Sequence, residues 1–301
     1  MDKVAAYLDL LGFSEAVKQD LNDAVGMLSG YQTIVSQMVS ATQSHGATHL
    51  QQFGIGSVDS LMPFSDSIFM TSKDPDLFVK QLSRFLLDSF QMHADLYANP
   101  ENPTDPIEVT EYLIKPGTAQ PTPILARWRP ILFTGGISFG DVVDLGMNSI
   151  VTGQANLHTI VAGIAIVRAV GLEKKRGKGP TIQCDDQFVA QLQASVIKKY
   201  IQHLPSKRIY RLFWTNALYN EQDEFSHFQQ EFDQLFLAAC NLWKAYKSET
   251  YGEYYAELMI QLINGTKHYF DGQPCQQHVD QHLLKQMQNI GIPPGLGGMI
   301  W

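Results

Sequence analysis

The sequence is poor in cysteine, in positive charge and in long apolar runs, and each shortage excludes a class of protein. Its three cysteines, Cys184, Cys240 and Cys275, are too few and too far apart for a disulfide framework, which favours a reducing compartment. Lys and Arg number 22 against 30 Asp and Glu, and this net charge of −8 argues against a nucleic-acid partner. No apolar run is long enough to span a bilayer, and the amino terminus lacks a signal-peptide pattern. We therefore expect a cytoplasmic protein without a membrane partner.

The first feature present is an apolar run of strand length, residues 4–14, that contains a single carboxylate, Asp9. A strand this apolar is typical of one buried on both faces. An ionised Asp in such a strand costs several kcal/mol unless it is paired, and a metal ion is the usual partner. The turn at Gly12 is then predicted to open a helix, whose first N–H groups can face an anion.

The second candidate carboxylate is Asp66, within Phe64-Ser65-Asp66-Ser67-Ile68. Short apolar runs on both sides predict a β-hairpin with Asp66 at its turn. If this hairpin lies beside the first strand, Asp66 stands next to Asp9, and the pair can hold the metal ions used in phosphoryl chemistry. The alternative is an Asp that only caps a solvated turn.

Two glycine-containing segments follow. Residues 130–140 are predicted to form a strand whose interior glycines mark a bulge or the close approach of another backbone or a ligand. Residues 154–173, which end in Gly163-Ile-Ala-Ile-Val-Arg-Ala-Val-Gly-Leu-Glu173, are predicted to form a helix of small residues.

Arg127 and Arg129 flank Trp128 just before the glycine strand. Two interpretations are open: a solvated strand edge, or a contact with phosphate or with a partner subunit.

Taken in order, these segments resemble class III nucleotidyl cyclase catalytic domains over about residues 4–185. No single motif is specific, and the resemblance depends on the ordered set. The residues that match the family's motifs are Asp9, Gly12, Phe13 and Ser14 in the first strand and turn, Asp66 in the hairpin, Gly136, Ile137 and Gly140 in the glycine strand, and Gly163, Ala169 and Glu173 in the helix.

The resemblance implies an α+β fold with a ferredoxin-like βαββαβ core. Residues 1–204 would form the cyclase-like domain, and residues 205–301 a mostly helical carboxy-terminal addition packed on it. It further implies a homodimer with the site at the subunit interface and a nucleoside triphosphate as substrate.

The resemblance also assigns the site. It implies two divalent ions, Mg²⁺ or Mn²⁺, bound by Asp9, Leu10 and Asp66, with Asp9 and Asp66 as the catalytic residues. The residues implied to bind substrate are Leu10, Gly12, Phe13, Ser14, Met62 and Arg168.

The residues of the motifs around Asp9 and Asp66 are most similar to those of the pyrimidine cyclases of bacterial antiphage (Pycsar) systems. Met62 and Ile160 stand at the family's purine-selecting positions, and neither offers a polar contact to a purine. We therefore expect cyclisation of UTP, or next of CTP, with the cyclic nucleotide acting on a separate effector in antiphage defence. One alternative is a non-catalytic nucleotide-binding or dimerisation module, because Val167 and Gly171 replace the family's helix Asn and Arg. Another is a purine cyclase with rearranged base contacts.

Overall fold

The structure is a computed structural model that describes residues 1–43, 57–98, 105–113, 120–151, 154–175, 179–204, 208–219 and 224–290. Its strands are β1 (Asp2–Leu10), β2 (Val58–Phe64), β3 (Ser67–Ser72), β4 (Glu108–Leu113), β5 (Thr122–Arg127), β6 (Phe133–Asp141), β7 (Val143–Val151), β8 (Gln154–Ala162), β9 (Ile182–Cys184), β10 (Ile201–Leu204) and β11 (Ile209–Leu212). Its α-helices are α1 (Phe13–Gln19), α2 (Leu21–Gln43), α3 (Pro75–Ala98), α4 (Ile164–Glu173), α5 (Asp186–Val189), α6 (Ala194–Tyr200), α7 (Phe225–Tyr246), α8 (Thr250–Phe270) and α9 (Gln276–Ile290).

The main sheet has the strand order β10-β11-β9-β6-β1-β3-β2. Within it, β6, β1, β3 and β2 are antiparallel neighbours. Helices α1 and α2 connect β1 to β2, and α3 lies between β3 and β6. This is the βαββαβ connectivity of a ferredoxin-like core, so the predicted α+β fold class is confirmed. Strand β9 extends the sheet in parallel to β6.

Strand β1 lies inside the sheet, with β3 on one side and β6 on the other. Val4, Leu8 and Leu10, which share one face, are at most 1% exposed in the main core. Ala5 points to the other face and packs with Ala165 of α4. The prediction of a strand buried on both faces is therefore confirmed, and Asp9 is an ionisable group near the end of a largely apolar strand.

The expectation of one helix over residues 154–173 is wrong for its first half. Residues 154–162 form β8, which pairs with β7 as a separate two-stranded antiparallel sheet, and only residues 164–173 are helical. Pairing with β7 supplies the backbone hydrogen bonds of this segment. The strand also agrees with its β-branched residues Thr159, Ile160 and Val161, which the prediction of a helix did not take into account.

The glycines of β6 serve close approach by other backbone. A side chain at Gly136 would collide with the carbonyl oxygen of Ala169, and one at Gly135 with the carbonyl oxygen of Tyr7. Helix α4 and strand β1 can therefore pack directly against β6. Of the two interpretations of these glycines, the structure supports close backbone contact.

Beyond residue 204 the helices are α7, α8 and α9, and α8 contacts both α7 and the 3₁₀ turn at Trp214–Leu218. Strand β11 lies beyond residue 204 and yet pairs with β9 of the main sheet. The boundary at residue 204 remains a prediction, and it would divide this sheet. None of the helices in the described ranges combines the length and apolar character needed to cross a membrane.

Neither interpretation fits Arg129, which is buried, and Arg127 is partly exposed and forms ion pairs within the chain. The Arg129 side chain is 1% exposed, and its Nη2 lies 2.9 Å from Oδ2 of Asp23, which is also buried. Arg127 donates to the same Asp23 oxygen at 2.6 Å and to Glu249 at 2.7 Å. The guanidinium of Arg129 also lies 3.9 Å from the ring centroid of Tyr251. These charges join α2, the segment before β6 and the α7–α8 corner.

Removing Arg129 should be costly because it leaves buried acidic groups undercompensated. We expect Arg129→Met to lower the free energy of unfolding by about 3 kcal/mol. The measurement is urea denaturation of the full chain. The control is Arg84→Met, which breaks the partly exposed Arg84–Asp88 pair on α3 and should cost less than about 1 kcal/mol. Equal losses in the two variants would contradict the structural role of Arg129.

Candidate functional site

The structure brings Asp9 and Asp66 to the same end of the sheet. Asp9 is the penultimate residue of β1 and stands opposite Ser67, the first residue of β3. Asp66 lies in the two-residue turn between β2 and β3, and its carbonyl oxygen accepts a 2.9 Å hydrogen bond from the Leu10 N–H. The predicted hairpin with Asp66 at its turn is confirmed, whereas the metal-binding roles of these residues stay predictions.

Two hydroxyl groups contact the Asp9 carboxylate. Ser67 Oγ donates to Asp9 Oδ1 at 2.9 Å, and the Tyr7 hydroxyl lies 3.3 Å from the same oxygen. The two hydroxyls are 2.9 Å apart. Burial, together with the negative charges of Asp9 and Glu173, raises the pKa of Tyr7, so its hydroxyl keeps the proton that it can donate.

The hairpin turn is held from α2 by Tyr31. This tyrosine is buried, and its hydroxyl donates to the Ser67 carbonyl oxygen at 2.9 Å. Burial, and then the charge of Asp66, raises the pKa of Tyr31 to about 12. Tyr31 therefore remains neutral at physiological pH and fixes the backbone next to Asp66 by a stable hydrogen bond.

The donor groups at this end of the sheet suit a hard divalent cation. Asp9 and Asp66 offer carboxylate oxygens, and Leu10 could contribute only a main-chain carbonyl oxygen, which are the ligand types that Mg²⁺ and Mn²⁺ prefer. In the described ranges no three or more His, Cys, Asp or Glu side chains gather around a possible metal position. A metal here would depend on the two carboxylates, the main chain, water and substrate oxygens.

The predicted phosphate-binding turn, Gly12, Phe13 and Ser14, follows β1 directly. Gly12 has a left-handed φ of 85°, and a side chain there would lie 2.6 Å from a ring carbon of Tyr251. The Tyr251 hydroxyl donates to the Gly12 carbonyl oxygen at 2.6 Å. The turn is thus fixed by helix α8, which the sequence analysis assigned to a separate addition.

The two predicted base-facing positions differ in what the structure describes. Met62 is half-buried on β2 and pairs with Phe69, which in turn pairs with Tyr7. Directly paired residues lie on one face of a sheet, so Met62 shares its face with Tyr7 and Asp9. The backbone of Ile160 belongs to β8, but its side chain lies outside the described residues.

Arg168 is not brought to the carboxylates of its own chain. It is exposed on α4, where its Nη1 would lie 3.7 Å from a side chain placed at Gly140. Gly140 pairs with Lys3, whereas Asp9 pairs with Thr134, six residues back along β6. Six residues of strand correspond to about 20 Å, so within one chain Arg168 and Asp9 lie near opposite ends of β6.

The sequence analysis missed four residues that hold this region, Tyr7, Tyr31, Ser67 and Tyr251. Tyr7 could have been found, because a residue two positions before Asp9 in a strand shares its face. Ser67 was visible as the neighbour of Asp66. Tyr251 had no local signal, since it is 239 residues from Gly12.

No family model and no curated protein matches this chain. Among solved structures, a bacterial light-regulated adenylyl cyclase is similar at 14% identity and a TM-score of 0.42, over 78% of this chain and 97% of that one. The guanylyl cyclase Cya2 is similar at 13% identity and a TM-score of 0.42, over 70% of this chain and 91% of that one. An adenylate cyclase from Trypanosoma brucei is similar at 11% identity and a TM-score of 0.39, over 71% of this chain and 90% of that one. Likenesses this distant leave the activity of this chain open.

The environment of Tyr31 makes a titration prediction. In the folded chain the pKa of Tyr31 is about 12, whereas the ordinary value for tyrosine is 10.0. The raised pKa means that neutral Tyr31 stabilises the fold. This contribution is fully present below the pKa of Tyr31 in the unfolded chain and is lost as the pH rises through its pKa in the folded chain. The measurement is a pH titration of the phenolate absorbance in wild type and in Tyr31→Phe. We expect the difference between the two curves, which isolates Tyr31, to have its midpoint near pH 12 in the folded protein. The urea-unfolded chains should give a midpoint near 10. A midpoint near 10 in the folded chain would contradict the burial of Tyr31 beside Asp66.

Proposed function

We propose that this chain is a nucleotidyl cyclase that converts a pyrimidine nucleoside triphosphate to its 3′,5′-cyclic monophosphate and pyrophosphate. UTP is the favoured substrate and CTP the next. The observation that carries the proposal is the meeting of Asp9 and Asp66 at one end of a ferredoxin-like sheet, next to the turn at Gly12.

Asp9, Asp66 and the Leu10 main chain would hold two divalent ions, Mg²⁺ or Mn²⁺. Ions bound there supply positive charge to the phosphates and lower the pKa of the ribose 3′-hydroxyl. The N–H groups of Gly12, Phe13 and Ser14 would orient a phosphate at the start of α1. The 3′-hydroxyl would lose its proton to water, its oxygen would form a bond to the α-phosphorus, and the bond from that phosphorus to the oxygen bridging to the β-phosphorus would break, so that pyrophosphate leaves.

The sheet face next to Asp9 supports a small base. Tyr7 and Phe69 have ring centroids 4.9 Å apart, and the half-buried Met62 lies beside Phe69. This surface offers stacking and apolar contact at the position where a purine cyclase resembling this chain would place a polar side chain. A pyrimidine can stack on such a surface, and Met62 offers no polar group that would select a purine.

A homodimer would complete the site. Within one chain, Arg168 and Asp9 are separated by about 20 Å along β6. Arg168 could therefore contact only a triphosphate that is bound by the carboxylates of a second copy. The outer face of α4 carries exposed apolar residues next to Arg168, with Ile164 at 46% and Val167 at 66% exposure. Burial of this face against the strand end of the partner would bring Arg168 to the phosphates.

The biological role proposed is an antiphage signal, in which the cyclic pyrimidine nucleotide acts on a separate effector. Its support is the similarity of the motifs around Asp9 and Asp66 to those of pyrimidine cyclases.

The test is incubation of the purified full chain with each of the four ribonucleoside triphosphates and Mn²⁺, with products identified by mass spectrometry. We expect cyclic UMP, or cyclic CMP, together with pyrophosphate. A cyclic purine nucleotide would keep the chemistry and overturn the choice of base. If none of the four triphosphates gives a product, the non-catalytic nucleotide-binding alternative replaces the proposal.

The two carboxylates give a mutational prediction. Asp9→Asn and Asp66→Asn should each reduce cyclase turnover to background, because each removes an anionic ligand while keeping the side-chain size. Circular dichroism should show an unchanged fold. The matched control is Asp59→Asn, which changes a carboxylate of the same hairpin that pairs with Lys3 at 3.3 Å. Full turnover in either site variant would refute the metal assignment.

A further inference from the structure

Tyr7, Ser67 and Asp9 form a closed triangle of oxygen atoms at the end of β1. Ser67 Oγ and the Tyr7 hydroxyl lie 2.9 Å and 3.3 Å from Asp9 Oδ1, and 2.9 Å from each other. The strand register sets this arrangement, because Tyr7 precedes Asp9 by two residues on one face and Ser67 stands opposite Asp9. Both hydroxyls converge on a single oxygen of the carboxylate.

Each hydroxyl of the triangle is itself held by packing. The Tyr7 ring lies 4.9 Å from that of Phe69, its neighbour on β3. Ser67 is 6% exposed, and its carbonyl oxygen accepts the hydrogen bond from Tyr31. The two donors therefore have little freedom, and the carboxylate that they contact is restricted with them.

We propose that Tyr7 and Ser67 are positioning residues that hold the Asp9 carboxylate in the orientation in which it binds the divalent cation. The proposal rests on the function proposed above, in which Asp9 is a metal ligand. Outer groups that hydrogen-bond to a ligating side chain fix its orientation and commonly change metal affinity by a factor of 10 to 100. Tyr7 and Ser67 would set how tightly the site binds its cation.

The chain contains a matched residue that flanks Asp9 without contacting its carboxylate. Thr134 stands opposite Asp9 on the other neighbouring strand, β6, and is fully buried. Its hydroxyl donates to the Thr181 carbonyl oxygen at 3.1 Å. Thr134→Val therefore removes a buried hydroxyl at the same level of the sheet. A purely structural role of such hydroxyls predicts that all three variants lose stability and keep their metal affinity.

The experiment is titration of the full chain with Mn²⁺, with free Mn²⁺ measured by electron paramagnetic resonance. We expect Tyr7→Phe and Ser67→Ala each to raise the Kd for Mn²⁺ by about 10- to 100-fold. Thr134→Val should stay within about twofold of wild type, because it leaves the outer hydrogen bonds of Asp9 intact. In turnover assays the first two variants should need more Mn²⁺ and should recover kcat when it saturates. Thermal melts should show that each variant is folded. Tyr7→Phe and Ser67→Ala test the same role, so the test remains possible if one of them does not fold.

The outcomes separate the two proposals. If wild type binds Mn²⁺ and Asp9→Asn abolishes that binding, but Tyr7→Phe and Ser67→Ala bind like wild type, the positioning role is overturned and the metal site stands. If wild type does not bind Mn²⁺, or Asp9→Asn binds it unchanged, then Asp9 is not a ligand and both proposals are overturned. Equal weakening in Thr134→Val would reduce the effect to general destabilisation and would also overturn the positioning role.

Discussion

The buried guanidinium of Arg129 is the constraint on which the arrangement of the two halves of the chain depends. It pairs with Asp23 of α2 and lies against the ring of Tyr251 in α8. Its Nε and Nη1 have no hydrogen-bond acceptor in the described part of the chain, so the Tyr246 and Tyr251 ring faces supply much of its remaining contact. A buried cation of this kind is tolerated only while every partner stays in place. The carboxy-terminal helices are therefore fixed to the core by charge as well as by apolar contact.

This constraint reaches the candidate site through Tyr251. The ring that lies against Arg129 also carries the hydroxyl that donates to the Gly12 carbonyl oxygen. The turn after β1 is thus held by α8, while Tyr31 holds the hairpin turn from α2. The two turns next to the candidate carboxylates are positioned by different parts of the chain. The carboxy-terminal addition therefore belongs to the scaffold of the site.

The elements that could be predicted from the sequence are those with a local signal. The apolar run around Asp9 and the turn at Asp66 were found because period, turn chemistry and length are local properties. Residues 154–162 were predicted as helix from the small residues that follow them, although their β-branched run and the pairing with the preceding strand β7 make them a strand. Arg127 and Arg129 were misinterpreted because their burial depends on Asp23 and Glu249, which are 104 and 122 residues from Arg127. Around the two candidate carboxylates, Tyr7 and Ser67 had local signals that the motifs did not include, whereas Tyr31 and Tyr251 reach the two turns from distant parts of the chain and had no local signal.

Charge places a further limit on how this site can work. The chain is acidic overall, and Asp9 and Asp66 would face a substrate that is itself strongly negative. Like charges at contact distance repel by several kcal/mol when water is partly excluded. Arg168 of α4 lies near the Gly140 end of β6, too far from Asp9 to offset this repulsion within one chain. In the proposed function, binding of a triphosphate at this end of the sheet would therefore depend on positive charge from divalent ions or from a second copy of the chain. For this reason metal affinity, and the groups that orient Asp9, would control the activity of the protein.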